Sequence, residues 1–364
     1  MFLVVTRNFP PDIGGMQSLM GGLSESLLDH GPVKVFANEF KNSKTYDIKS
    51  SLNIERVKGI KLFRKYRKAN LVNNFIKENS DIRAIIVDHW KSLELLKEEY
   101  LRKTKTFCLL HSKEINHELG SSLNKRVINS TNKANFIIAN SDFTKHLLTK
   151  LGYKNKNIKI INPGCNYPIQ VNEEGKKFAE KIYEDAFPKL ITVSRLDGRK
   201  SHKSVLMTIK NLLPKFPKLK YVSIGDGDEK NNLEKLREEL GLIDQVRFIY
   251  KSTEQEKIGL LEKSDIFVMP SVVYKKSVEG FGITFIEAAS YGKPSIAGKF
   301  GGEADAVLEG KTGYLCDGND LNNLYETLLK VLDNDNYKKL GANALAFSKN
   351  FSWNKIVKKY IELI

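Results

Sequence analysis

The chain alternates short, nearly continuous apolar runs with stretches whose apolar residues recur every three or four positions, and few folds accept that alternation. In the first half the runs are Phe2–Thr6, Val33–Ala37, Ala84–Val87, Thr106–Leu110, Phe136–Ala139 and Lys159–Ile161. In the second half they are Leu190–Ser194, Tyr221–Ile224, Val246–Tyr250, Ile266–Met269, Pro294–Ala297 and Gly313–Leu315. Helical spacing lies between them, as in Ser18–Leu28 and Lys230–Leu240. Strands with no polar alternation are buried on both faces, which predicts parallel sheets covered by helices. At 364 residues the chain is long enough for two such α/β domains. Asn162-Pro163-Gly164 and the polar stretch through Gly175 mark the boundary region. The expected division is residues 1–168, residues 169–345, and a last helix over 346–364. That helix spaces Trp353, Ile356, Val357 and Tyr360 along one face, to cap the second domain or cross back to the first.

Composition narrows the class of protein. Hydrophobic residues make up 41% and charged residues 28%, the balance of a globular domain, and no apolar run is long enough to span a bilayer. Phe2-Leu3-Val4-Val5, followed by Arg7 and a Pro-Pro pair, reads as strand and loop rather than as a signal peptide. Cys108, Cys165 and Cys316 lack metal-like spacing and read as buried thiols of a cytoplasmic protein. The net charge of +16 is unevenly spread: residues 1–170 carry +13 and the remainder +3. The densest basic stretch is Arg56, Lys58, Lys61, Arg64, Lys65, Arg67 and Lys68, interleaved with Ile60, Leu62, Phe63 and Tyr66. Such interleaving suits an anionic membrane surface, where apolar side chains dip between acidic headgroups; a solvated basic face is the competing reading.

Three segments point to a phosphate-bearing, hydroxyl-rich ligand. Glu279-Gly280-Phe281-Gly282-Ile283-Thr284 follows a strand and opens a helix that should run to Tyr291, so free backbone N–H groups meet the positive end of the helix dipole. Glu279 precedes this helix and Glu287 lies one turn inside it, placed to bind hydroxyls on either side of a diphosphate. Arg195 and Lys200 sit five residues apart on a strand-to-helix loop, a spacing suited to clamping a diphosphate. Near the N-terminus, Gly14-Gly15 again precedes a helix, as a loop that approaches phosphate requires. Gly301-Gly302-Glu303 reads either as another ligand-facing turn or as a connection.

The order and spacing of these segments resemble the family-4-like retaining glycosyltransferases of GT-B fold, over almost the whole chain. Phe9-Pro10-Pro11 with Gly14-Gly15, Asn162-Pro163-Gly164, Arg195-Leu196 with Lys200, the Glu279/Glu287 pair and Gly310-Lys311-Thr312-Gly313 carry the resemblance. The run Glu279–Val307 is similar to the lipid glycosyltransferases, such as phosphatidylinositol mannosyltransferases and monoglucosyldiacylglycerol synthases. The resemblance implies two Rossmann-like doubly wound domains facing across a cleft, with a nucleotide-diphosphate sugar as donor substrate and no cofactor. It implies that Arg195 and Lys200 bind the donor diphosphate and Glu287 the ribose. Glu279 and the backbone amides of Gly280, Phe281, Gly282 and Ile283 would hold the transferred sugar, with Thr284 also in the donor site. Gly15, beside Gly14, would lie by the phosphate, and His111 matches the family histidine that reaches the sugar, although Ser112 and Lys113 depart from the commoner His-Gly-x-Glu.

Asp226-Gly227-Asp228 spells the metal triplet of the other large glycosyltransferase fold, but between a strand and a helix start a glycine turn explains it. Arg195 and Lys200 already supply positive charge, so no metal is expected. The sequence offers no carboxylate nucleophile besides Glu279, which favours same-face transfer of a hexosyl group. The expected acceptor is a membrane lipid, with a soluble or polysaccharide acceptor as the alternative. A non-catalytic nucleic-acid-binding protein is the reading from another class, and no recognised nucleic-acid module supports it.

Overall fold

The computed structural model describes residues 1–153 and 157–364. They form two compact units: Met1–Cys165 together with Phe351–Ile364, and Asn166–Asn350.

The first unit is built on β1 (Phe2–Val5), β2 (Val33–Asn38), β3 (Asn53–Val57), β4 (Ala84–Val87), β5 (Lys105–Leu110), β6 (Phe136–Ala139) and β7 (Ile158–Ile160). All pairings are parallel, in the order β3-β2-β1-β4-β5-β6-β7, with Val4 of β1 opposite Val35 on one side and Ile86 on the other. Successive β1 side chains enter opposite layers. Leu3 and Val5 join Trp90 and Val127, whereas Phe2 and Val4 join Leu23 and Val357. Burying each such side chain contributes about 1.5–3 kcal/mol, which is why continuous apolar runs become central strands.

The edge strand β3 was not among the predicted strands. Its Asn53-Ile54-Glu55-Arg56-Val57 is fully buried only at Val57, because an edge position leaves one side of the strand to solvent and removes the apolar signal.

The last helix, Trp353–Ile361, packs in the first unit against the helix Gly15–Leu27. Glycine makes the room: a Cβ on Gly22 would lie 2.3 Å from the Trp353 indole, and one on Gly164 would lie 2.4 Å from it. Of the two destinations open to this helix in the sequence, shape complementarity around one tryptophan selects the first.

The second unit is built on β8 (Lys189–Val193), β9 (Lys220–Ile224), β10 (Val246–Ile249), β11 (Ile266–Met269), β12 (Ser295–Gly298) and β13 (Gly313–Cys316). Its sheet is also parallel, in the order β10-β9-β8-β11-β12-β13. Ligands of open parallel sheets bind beyond the carboxyl ends of the strands where the order reverses. Here those points lie between β1 and β4 in the first unit and between β8 and β11 in the second. None of the described helices is long and apolar enough to cross a membrane. The three cysteines are buried and form no disulfide with one another.

Candidate functional site

In the second unit the reversal point is flanked by the two segments that the sequence singles out. After β8, the chain passes through Arg195 and Leu196 into a single helical turn, Gly198–Lys200. After β11 it runs through Pro270 and Ser271 to Glu279 and the helix Ile283–Ala289. That helix is shorter than the predicted run to Tyr291, and Gly292, at φ 70°, ends the turn that follows it. The amide of Val272 donates to the Arg199 carbonyl at 2.8 Å, tying the two loops together.

Lys200 and Glu279 meet at this point. Lys200 is only 8% exposed, which rules out a solvated lysine; its Nζ donates to Glu279 Oε2 and lies 3.3 Å from Met269 Sδ. Arg199 Nη1 donates to the same oxygen at 2.7 Å. Burial pushes the Glu279 carboxyl up, but the charges and hydrogen bonds of Lys200 and Arg199 outweigh it and hold the group down at about 2. A carboxylate fixed in this way keeps Oε1 available to accept from a ligand hydroxyl.

Arg195 does not join the cluster. Its side chain is 69% exposed and pairs with Asp197 at 3.0 Å. The guanidinium beside Lys200 is therefore Arg199, which sequence reading passed over. A basic residue next to an assigned lysine carries no signal of its own, and only the turn at Gly198–Lys200 aims both side chains at Glu279.

Glu287 lies one turn into the helix, and burial raises its carboxyl pKa. The charges acting on it come from Lys257 and Glu254. Glu254 accepts from the Tyr167 hydroxyl, and Lys257 Nζ sits 4.9 Å from the centre of the Tyr167 ring. This aromatic and charged surround was also absent from the sequence reading, because Tyr167 and Lys257 are 90 residues apart in the chain. Gly280, Phe281 and Gly282 are buried, with Gly282 at φ 84°, and Ile283 and Thr284 open the helix half-buried.

Asp226-Gly227-Asp228 is held by chain packing. A Cβ on Gly227 would lie 2.3 Å from the Leu196 carbonyl oxygen, and the Leu196 amide donates to the Asp226 carbonyl at 3.0 Å. Among the described residues no three His, Cys, Asp or Glu side chains gather as a metal site.

The first unit places a second group of polar side chains at its own reversal point. Asp88, fully buried after β4, accepts from the Thr6 hydroxyl at 3.1 Å, the Arg7 amide at 2.8 Å and the Ser92 hydroxyl at 2.6 Å. His111 follows β5, where its amide donates to Glu114 Oε1 at 2.7 Å and its buried Nε2 has no protein partner. Burial lowers its pKa to about 4, with Asp88 opposing and Arg7 adding to the fall, so the imidazole is neutral at physiological pH. Gly15 opens the helix after the Phe9–Gly14 loop, and a Cβ there would meet nothing within 4 Å, whereas one on Gly14 would strike Gln17 at 2.6 Å.

The basic stretch over residues 56–68 separates into two groups. Arg56 turns inward to Asp47 at 2.7 Å, and Lys68 is buried with its Nζ on the Thr6 carbonyl at 2.7 Å. These two do not belong to the surface patch expected from sequence: β3 directs one inward, and the buried face of the helix Lys61–Glu78 carries the other. Lys58, Lys61, Lys65 and Arg67 stay exposed beside Ile60, Leu62, Phe63 and Tyr66.

A buried carboxylate held by two cations thus stands at the reversal point of a doubly wound parallel sheet. Residues 173–347, almost all of the second unit, match the family of group 1 glycosyl transferases, and that unit is a group 1 glycosyltransferase domain. The fold of the chain is GT-B. It superposes on Anabaena HepE in complex with UDP and glucose with a TM-score of 0.80 at 18% identity, covering 100% of this chain and 99% of that one. On sucrose-phosphate synthase from Thermosynechococcus elongatus the TM-score is 0.78 at 19% identity, covering 100% and 98%. Among characterised relatives, it is 25% identical over 333 residues to a GDP-mannose-dependent alpha-(1-6)-phosphatidylinositol monomannoside mannosyltransferase of Mycolicibacterium smegmatis, covering 88% of this chain and 86% of that one. The Mycobacterium tuberculosis enzyme of the same description is 23% identical, covering 100% and 97%.

Proposed function

We propose that this chain is a retaining, metal-independent hexosyltransferase that takes a UDP-glucose or GDP-mannose class donor and glycosylates a membrane lipid. The observation that carries the reading is the Lys200–Glu279–Arg199 cluster within the group 1 domain. In this reading Glu279 Oε1 and the backbone from Gly280 to Thr284 hold the transferred sugar. Lys200, with Arg195 swinging from its exposed position, neutralises the departing diphosphate, and Glu287 takes the ribose. His111, neutral and with a free Nε2, meets the sugar from the acceptor side. The sugar leaves and the acceptor hydroxyl attacks on the same face, its proton passing to the departing phosphate oxygen. The protein contributes position and a preorganised electrostatic field.

The exposed basic and apolar patch from Lys58 to Arg67 supports a membrane-borne acceptor, as does likeness to enzymes named for phosphatidylinositol mannosides. A soluble acceptor keeps the same donor chemistry. Incubation of the protein with a panel of nucleotide sugars and acidic vesicles tests the proposal. It predicts donor turnover that is unaffected by EDTA, an α-linked glycolipid by NMR, and flotation with the vesicles at low salt. An inverted product would exclude the retaining mechanism, EDTA inactivation reversed by magnesium or manganese the metal independence, and absence of flotation the lipid acceptor.

A further inference from the structure

The first unit's reversal point leaves two strand ends side by side. Val5 of β1 is opposite Val87 of β4, and the Asp88 amide donates to the Val5 carbonyl at 3.2 Å. Arg7 and His89, each two residues beyond its strand, therefore emerge as neighbours where open parallel sheets take ligands. The Arg7 side chain is 34% exposed, and its buried Nε makes no hydrogen bond. His89 is 5% exposed, and its Nδ1 accepts from the Lys91 amide at 2.9 Å. That bond puts the ring proton on Nε2, which has no acceptor among the described residues. The charge here is unbalanced. Asp88 is occupied by its three hydrogen bonds, and Lys68, held on the Thr6 carbonyl, offsets its charge, so Arg7 remains in excess. The titratable groups acting on His89 are Arg7, His111, Lys91 and His117, all basic side chains.

Resting on the transferase reading above, we propose that Arg7 and His89 form an anion subsite for a phosphate carried by the acceptor. The acceptor is then a hydroxyl-bearing phosphoester rather than a neutral lipid such as diacylglycerol. Arg7 supplies the charge and, through Nε and one Nη, a fork that matches two phosphate oxygens. His89 supplies a further N–H whose direction the Lys91 amide fixes. Burial and the neighbouring Arg7 keep that imidazole neutral, its pKa lowered to about 2, so it donates without gaining a proton. Glu114, the other acid near Arg7, is pushed up to about 8 by burial and opposes it weakly at neutral pH. The phosphate belongs to a lipid headgroup or to a soluble ester, with the same chemistry at Arg7 and His89. The donor diphosphate has its own cations, Lys200 and Arg195, in the second unit.

NMR of the imidazole rings, six in the chain, reads this subsite without turnover, and His89→Gln assigns the His89 signals. Inorganic phosphate, titrated to about 50 mM, should shift them saturably, since charge-assisted contacts sustain a millimolar Kd. Glycerol 3-phosphate should do the same and glycerol should not. Arg7→Gln should weaken both phosphates by about tenfold or more, and Arg7→Lys, which keeps the charge but not the fork, by less. Dihexanoyl phosphatidylglycerol separates the two sources. Tighter binding than glycerol 3-phosphate assigns the phosphate to a headgroup, and equal binding assigns it to a soluble ester. A His89 ring that phosphate leaves unmoved, or that responds equally in Arg7→Gln, would overturn the inference. So would displacement of glycerol 3-phosphate by UDP or GDP, which would hand the subsite to the donor, or equal glycosylation of diacylglycerol and phosphatidylglycerol. A protein that consumes no nucleotide sugar yet binds phosphate through Arg7 would lose the transferase reading and keep the anion subsite.

Discussion

The two units have the same parallel architecture and place polar groups at the same topological point, but they leave those groups in opposite states. In the second unit the charges are paired with one another: Lys200 and Arg199 converge on Glu279, and Glu254 and Lys257 surround Glu287. In the first unit Asp88 is satisfied by three hydrogen bonds, but the groups around it are left open. His111 Nε2 has no partner, Arg7 Nε is 3.9 Å from Asp88 and makes no hydrogen bond, and Gly15 faces empty space. The family match covers the second unit and not the first. A site whose geometry is locked by its own ion pairs suits one recurring ligand moiety. A site with free donors on a basic surface suits a part of the reaction that differs among relatives.

Breaking the locked side should have the largest effect. Lys200→Ala is expected to lower kcat by about 10²–10³-fold, the loss typical of removing one preorganised charge, with Arg195→Ala costing nearer tenfold. Steady-state kinetics on the folded variants checks this, and equal small losses would remove the lysine from the chemistry. Glu279→Gln probes the same lock through acid. A carboxyl held at about 2 in the fold contributes stability that is present above 4.5 and lost as pH falls through 2. The stability gap between wild type and the variant should shrink by on the order of 3 kcal/mol from pH 6 to pH 2, as followed by denaturant melts. An unchanged gap would mean that the ion pairs are not formed in solution.

The first unit is sharpened by smaller effects. Gly22→Ala drives a methyl group into the Trp353 indole and should cost about 1–3 kcal/mol. In calorimetry that cost belongs to the unfolding of the first unit, and a shift confined to the second would contradict the packing of the last helix. Lys61→Glu with Lys65→Glu should weaken binding to acidic vesicles by about 1 kcal/mol per lost basic residue or more, leaving stability unchanged. Binding that ignores both the substitutions and the salt concentration would discard the patch as a docking surface.

The twelve apolar runs read from the sequence all became strands, to within a residue or two at their ends, because a doubly covered parallel strand must be apolar along its whole length. Among the described strands only β3 escaped, because Asn53, Glu55 and Arg56 break its apolar run, as an edge position allows. Lys200 and Glu279 were legible through their spacing from strand ends. Arg199 and the Tyr167–Lys257 surround of Glu287 were not, because each depends on which way a turn aims a side chain or on segments distant in sequence.

The division of labour follows from the range of the forces involved. Hydrophobic periodicity acts locally, so the sequence by itself determined the strands, their parallel pairing and the two-unit plan. Electrostatic pairing and close packing act between segments that meet only in the folded chain. Tertiary structure therefore decided that Arg199 rather than Arg195 stands beside Lys200, that Arg56 and Lys68 leave the basic surface, and that Trp353 takes the last helix to the first unit.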